Sequence, residues 1–397
     1  MTTNGTSHEQ NPSHQISVAE FSGDVFGHLP RQDQRRWAET YLKGLLRTPG
    51  KKSVRRMAAA VSDAPTASQS LHQFISMSPW PWEPSRSALA RWIQQRATVR
   101  TWSLLPVVTP KRGRYSVGVQ QGFDAEAGRV ISCQVGVALL LSTCCDDIPV
   151  DWRLQLSEAW CDDPQLRRRA RLPDSAGAHP LWALGLELVE SQAARSEGPP
   201  PPVVADAREF VDTRALVNGL GGRGTKFVIS IADNLMMRAG PHLGAQRRAG
   251  SAAPAGRLCV DDRLLYWSAP TRAHTSPGSH RPAAVMWTLS GPVHMPRSDH
   301  TLRLLAAWCP KGTRPTGIWL TNLVHADIDE LIALADTQTG SGGVKQPLRE
   351  GFGLSDFEGR SFPGWHHHMT LVSAAYTWHR FCGTSTCTHP SIPQAVA

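Results

Sequence analysis

Apolar positions in the first hundred residues recur at helical spacing. Trp37, Tyr41, Leu42, Leu45 and Leu46 form one stripe, which predicts an amphipathic helix broken by Thr48-Pro49-Gly50. Val54, Met57, Ala58 and Val61 predict a second short helix. Leu71, Phe74 and Ile75, then Leu89, Trp92 and Ile93, predict two more, with Trp80-Pro81-Trp82 as a rigid aromatic corner between them. Beyond residue 100 the pattern shortens into β-rich runs at 116–119, 129–142, 202–205, 226–231, 285–289, 302–308 and 317–320. Helical patterns interrupt them at 181–194, 328–335 and 366–381. Strands interleaved with helices predict an α/β body with a mixed sheet and covering helices. Two stretches, 233–284 and 337–343 (TQTGSGG), read as loose linkers.

Charge sharpens this picture. The 397 residues carry 42 Lys and Arg against 33 Asp and Glu, a net charge of +9. Residues 31–60 hold nine of those cations against Asp33 and Glu39 alone, so most of the excess sits on the first helical pair. A concentrated basic face favours a polyanion, nucleic acid first, because every phosphate contacted releases counterions. Apolar runs are too short for a membrane span. The first eighteen residues have neither a basic start nor an apolar core, so the chain reads as soluble and cytoplasmic, with no membrane partner.

Several candidate sites weaken on inspection. The eight cysteines form no C-x-x-C pair, and Cys382, Cys387 and His389 fall short of four zinc ligands, which makes the end of the chain a mobile tail. His366, His367 and His368 are consecutive, and helical neighbours about 100° apart cannot all face one ion. Gly44 and Gly50-Lys51 imitate a phosphate-binding loop with one residue too many, and Lys52 replaces its Ser or Thr. The pairs Asp146-Asp147, Asp162-Asp163 and Asp261-Asp262 read as surface acids in turns. No G-x-S-x-G elbow is present.

Residues 354–371, LSDFEGRSFPGWHHHMTL, carry more information than composition does. They resemble the C-terminal signature of DDE transposases from bacterial insertion sequences, of the insertion-sequence family 701 type. Shorter segments agree in order: Arg35-Arg36-Trp37, Tyr41 to Leu46, Lys51-Lys52-Ser53, Gln73-Phe74, Ser78-Pro79-Trp80, Pro110-Lys111-Arg112-Gly113, Ser116-Val117-Gly118-Val119, Cys133-Gln134-Val135, Asp151-Trp152-Arg153-Leu154 and Val203 to Ala207. The resemblance spans about residues 25 to 380. It implies an α/β fold with an RNase H-like catalytic core, a β-rich insertion, and a small helical DNA-binding domain in front. The expected division is a disordered N-terminus over 1–19, helical domain over 20–100, first part of the core over 101–232, insertion over 233–325, second part of the core over 326–381, and tail over 382–397.

The implied chemistry is cleavage and transfer of DNA strands by two divalent ions, Mg2+ or Mn2+, held by three carboxylates. Asp206 matches the second of these acids. Leu105 and Pro106 stand where the first is expected, and no acid lies between Glu83 and Asp124. Counting back from Gly353-Leu354 puts Gly342 at the glutamate and Arg349 at the lysine of the family's helix, with Gln338 and Ala335 at its arginine and tyrosine. Asp206 is therefore the single catalytic acid retained, and a weak metal ligand at most.

Three readings follow. The first is a transposase-like DNA-binding protein that has lost cleavage, either an insertion-sequence remnant or a domesticated regulator. Its expected DNA contacts are Lys51, Lys52, Arg55, Arg56, Lys111, Arg112, Arg114, Arg349, Arg360 and His367. The second is an active metal-dependent transposase drawing acids from other positions. The third is an RNase H-like scaffold reused as a non-DNA enzyme or interaction module. The resemblance leaves a homodimer open, and no heptad repeat supports one.

Overall fold

A computed structural model describes residues 16–113, 115–124, 128–239, 252–263, 271–272, 285–296, 298, 300–308 and 314–383. Five helices come first: α1 (Val18–Phe26), α2 (Gln32–Arg47), α3 (Val54–Val61), α4 (Ala67–Ser76) and α5 (Glu83–Gln94). Their starts follow from capping side chains. Ser17 and Glu20 close a reciprocal box at α1, and Ser53 accepts from the Arg56 amide at α3. The predicted stripe on α2 is buried at Tyr41, Leu42 and Leu45, against Met57 of α3 and the rest of the core.

The sheet begins with β1 (Thr101–Pro110), β2 (Val119–Asp124), β3 (Arg129–Ser142) and β4 (Asp147–Leu154). Helices α6 (Glu158–Asp162), α7 (Pro164–Ala170) and α8 (Leu181–Ala193) then lead to β5 (Val203–Asp206), α9 (Thr213–Gly222) and β6 (Phe227–Ser230). β1 is central. It pairs antiparallel with β3 on one side and parallel with β5 on the other, and β5 pairs parallel with β6. This mixed sheet with flanking helices is the expected RNase H-like arrangement. β1, buried almost end to end, reads as a continuous apolar run because both of its faces are covered.

The insertion extends the same sheet. It contains β7 (Met236–Ala239), β8 (Ala252–Pro254), α10 (Ala255–Arg263), β9 (Thr271–Arg272), β10 (Val285–His294), β11 (Leu302–Trp308) and β12 (Gly317–Thr321). β12 pairs antiparallel with β6, Trp319 opposite Ser230, so core and insertion share one ladder. Three further α-helices follow among the described residues: α11 (Ile328–Ser341), α12 (Lys345–Phe352) and α13 (Phe362–Trp378).

The linker expected at 337–343 is corrected here. α11 runs on to Ser341, and only a short 3-10 turn over Gly342–Val344 separates it from α12. Leu331 and Ala335 bury against Val204 and Val228 on the sheet, and this packing outweighs glycine's penalty of about 1 kcal/mol within the helix. No helix among the described residues is long and apolar enough to cross a membrane.

Candidate functional site

The parallel register of β1 and β5 sets Leu104 opposite Ala205. The next residues along are Leu105, 3% exposed, and Asp206. Asp206 ends β5 and caps the 3-10 turn Ala207–Glu209, its Oδ1 accepting from the Arg208 amide at 3.0 Å. Arg208 then folds back on the same carboxylate. Its Nε donates to Oδ1 at 2.8 Å and its Nη2 to Oδ2 at 2.6 Å, so both acid oxygens are engaged. This bond raises the Arg208 guanidinium above its ordinary range.

The C-terminal helices supply a second pair beside the first. Lys345 Nζ donates to both oxygens of Glu209, at 2.7 and 3.0 Å. Arg349 Nη2 donates to the Val108 carbonyl of β1 at 2.9 Å. Gly342, where the family pattern expects a glutamate, sits exposed in the turn before α12 with open space around its Cα. Among the described residues no group of three or more His, Cys, Asp or Glu is placed to hold a metal ion.

A cleft of about 650 Å³ opens from this strand end. Arg208 lines it from just past β5, and Ile231 to Asn234 line it from just past β6. Arg257 of α10 and Arg314 with Thr316 ahead of β12 complete it. Sequence reasoning missed Arg208, Lys345, Arg257 and Arg314. The spacing Asp206-x-Arg208 was the one available signal.

The basic segments that are far apart in sequence meet around residues 353–360. The Lys52 amide donates to Asp356 Oδ2 at 2.7 Å, and Lys51 Nζ pairs with Glu358 at 2.6 Å in the open. Lys111 Nζ donates to the carbonyls of Ser355 and Phe357, at 3.1 and 2.7 Å. Burial pushes this ammonium down to about 8, against the pull of Asp356 and Glu358. Gly353 turns the chain here at φ 72°, and a Cβ would strike the Lys52 side chain. Arg55, Arg56, Arg112 and Arg360 are exposed, and Arg360 and Arg169 both lie over the Tyr115 ring. Arg114 lies outside the described residues.

Two expected contacts are corrected. Lys52 is 4% exposed, and its ammonium donates to the Thr48 carbonyl inside the protein. Its position after the Pro49-Gly50 turn folds it inward, and burial lowers its pKa. His367 is fully buried, stacked on Trp80 with ring centroids 3.9 Å apart. Its nitrogens reach the carbonyls of Ile75 (3.0 Å) and Trp80 (2.8 Å), and burial pushes it down to about 4.

The three histidines do diverge, as helical geometry requires, each to a different part of the N-terminal helices. His366 stacks on Trp82 and accepts at Nδ1 from Arg86 at 3.1 Å. Tyr41 donates to Nδ1 of His368, whose Nε2 donates to the Gly353 carbonyl, both at 2.9 Å. Arg86 is itself buried with all five donors used: on Asp151 (2.6 Å), the Trp152 and His366 carbonyls, His366 Nδ1 and Thr370. Arg153 and Arg195 also hold the Asp151 carboxylate, which stays below its usual range despite burial.

The acid pairs divide. Asp162 and Asp163 are exposed, with Asp163 capping α7. Asp146 is corrected: it is buried and paired with Arg380, because the β3–β4 turn closes against the end of α13. The Asp261 and Asp262 side chains, Cys387 and His389 lie outside the described residues.

Against known families, the profile of the DDE superfamily endonucleases matches residues 24–285. That is about two thirds of the chain, from the N-terminal helices through β6 into the insertion. No curated protein matches.

Proposed function

From the premise that this chain belongs to the DDE superfamily endonuclease family, we propose that it binds DNA and neither cuts nor transfers it. The carrying observation is the strand end, where Leu105 and Asp206 follow the last pair of the β1–β5 ladder and both oxygens of Asp206 are held by Arg208. DDE nucleases rely on divalent ions, and a pair of hydrated magnesium ions needs several converging carboxylate oxygens. The donor set does not fit that pair. Pro106 and Gly342 carry no carboxylate, and Glu209 is committed to Lys345.

The DNA contacts of this reading are the solvent-facing cations Lys51, Arg55, Arg56, Arg112 and Arg360 around the 353–360 loop. Lys111 and Lys52 shape that loop from beneath, and Arg349 braces β1. Such a surface gives affinity through phosphates, with strong salt dependence. The wider reading is an insertion-sequence-derived protein of the family 701 type, reused or decaying.

Capture of genomic fragments at physiological salt, followed by sequencing, tests binding. Incubation of supercoiled plasmid with Mg2+ or Mn2+ tests cleavage. Retained DNA with no nicked product is expected. Failure to retain DNA overturns binding, and nicking abolished by Asp206→Ala overturns the loss of cleavage.

A further inference from the structure

We propose that Arg208 takes the place of a divalent cation at Asp206, and that the cleft it lines with Arg257 and Arg314 binds a phosphodiester of DNA without metal. This rests on the DNA-binding reading above and adds a second site to it. Three observations carry it.

The first is the bidentate grip of Arg208. A guanidinium fork matches a carboxylate in plane, and it occupies the same two oxygens a divalent ion would need. An ion that chelates both oxygens of Asp206 competes with it for the same two atoms.

The second is the charge balance. Among the described residues that line the cleft, Arg208, Arg257 and Arg314 are basic and Asp233 alone is acidic, while Asp206 matches Arg208 from beside it. This lining is more basic than acidic and attracts phosphate by side chains alone.

The third is position and size. The cleft opens past the carboxyl ends of the parallel strands β5 and β6, where open α/β sheets present ligands. Its volume of about 650 Å³ accommodates a nucleotide unit. Asn234 and Thr316 add polar lining between the arginines.

Fluorescence anisotropy of a labelled duplex, titrated with the full-length protein in EDTA and again in Mg2+, tests the proposal. Equal affinity in the two buffers is expected. Arg257→Ala with Arg314→Ala should weaken binding about tenfold and lower the salt slope by about two. Both side chains are exposed, so the fold should survive. Arg208→Ser should weaken binding in EDTA and make it responsive to Mn2+, a rescue that mere structural damage would not produce. Wild-type affinity that rises with Mg2+ as much as the Arg208→Ser variant's rises with Mn2+ overturns the substitution of metal by arginine. An unchanged salt slope in the Arg257/Arg314 variant, with Lys51→Ala, Arg55→Ala and Arg56→Ala still weakening binding, overturns the cleft and leaves DNA binding standing. No binding by the wild type overturns both.

Discussion

The molecule handles charge in two opposite ways. Around α13, Arg86, Asp151, His366 and His368 are buried and joined by side-chain hydrogen bonds. At the ends of β1 and β5, Asp206 and Glu209 are partly open, and each is matched by a single basic side chain. A buried network fails badly when one member is lost, because the partner is left desolvated and unpaired. An exposed pair costs little to break, since water replaces the lost partner. Substitution should thus be tolerated at the strand ends and punished at the hub. Chemistry can be lost at the first without loss of the fold that the second maintains.

The largest effect should come from Arg86→Met. It takes from Asp151 one of its three cations and leaves His366 Nδ1 without its donor, and a loss of about 3 kcal/mol is expected in urea unfolding. A loss under 1 kcal/mol would erase the contrast between the two regions.

Acid should reveal the hub next. His367 and His368 are both held near 4, chiefly by burial, against 6.5 when free. Their folded pKa is depressed, so the unfolded chain binds protons first. Their contribution is complete above pH 6.5 and is lost as the pH falls toward 4, up to about 3 kcal/mol for each ring. Asp147 acts the other way. Burial raises it to about 6, so it favours the folded state as acid is added. One carboxyl cannot offset two imidazoles, and the urea midpoint should drop between pH 7 and pH 4.5. His368→Phe should flatten that slope.

Tyr41→Phe sharpens the comparison within the hub. It removes one donor to His368 and leaves the ring packing in place, for a cost of about 1 kcal/mol by thermal or urea denaturation. Smallest of all, Glu358→Ala at the exposed Lys51 pair should change stability by less than about 1 kcal/mol. The same variant should tighten DNA binding by unmasking Lys51, as a binding titration at low salt would show.

Much of this architecture was legible in sequence, for physical reasons that also mark the limits. The α2 stripe and the apolar β3 and β11 runs announce their elements because burial there is periodic or continuous. His367 reads as a DNA contact from sequence because histidine is polar and basic, yet its ring is buried. The better signal is that no charged residue occurs between Arg360 and Arg380, which marks a helix buried on every side. Lys52 gave no such warning, since the space that its stem fills lies against Gly353, three hundred residues away. That positions 105, 106 and 342 carry no acid could be read directly. The pairing of Asp206 with Arg208 left only its spacing as a signal, and that of Glu209 with Lys345 left none, because α12 reaches back across 136 residues.

The order in which the chain is made adds one more consequence of α13. Helices α2, α4 and α5 present faces shaped to receive it, and Arg86 waits for a histidine 280 residues further on. At ribosomal rates of about 5–20 residues per second, that interval is on the order of tens of seconds. Through it the nascent N-terminal helices remain without their central post. A message cut short before residue 362 therefore yields a polypeptide with open apolar faces, fit for degradation, so α13 is the element whose synthesis closes them.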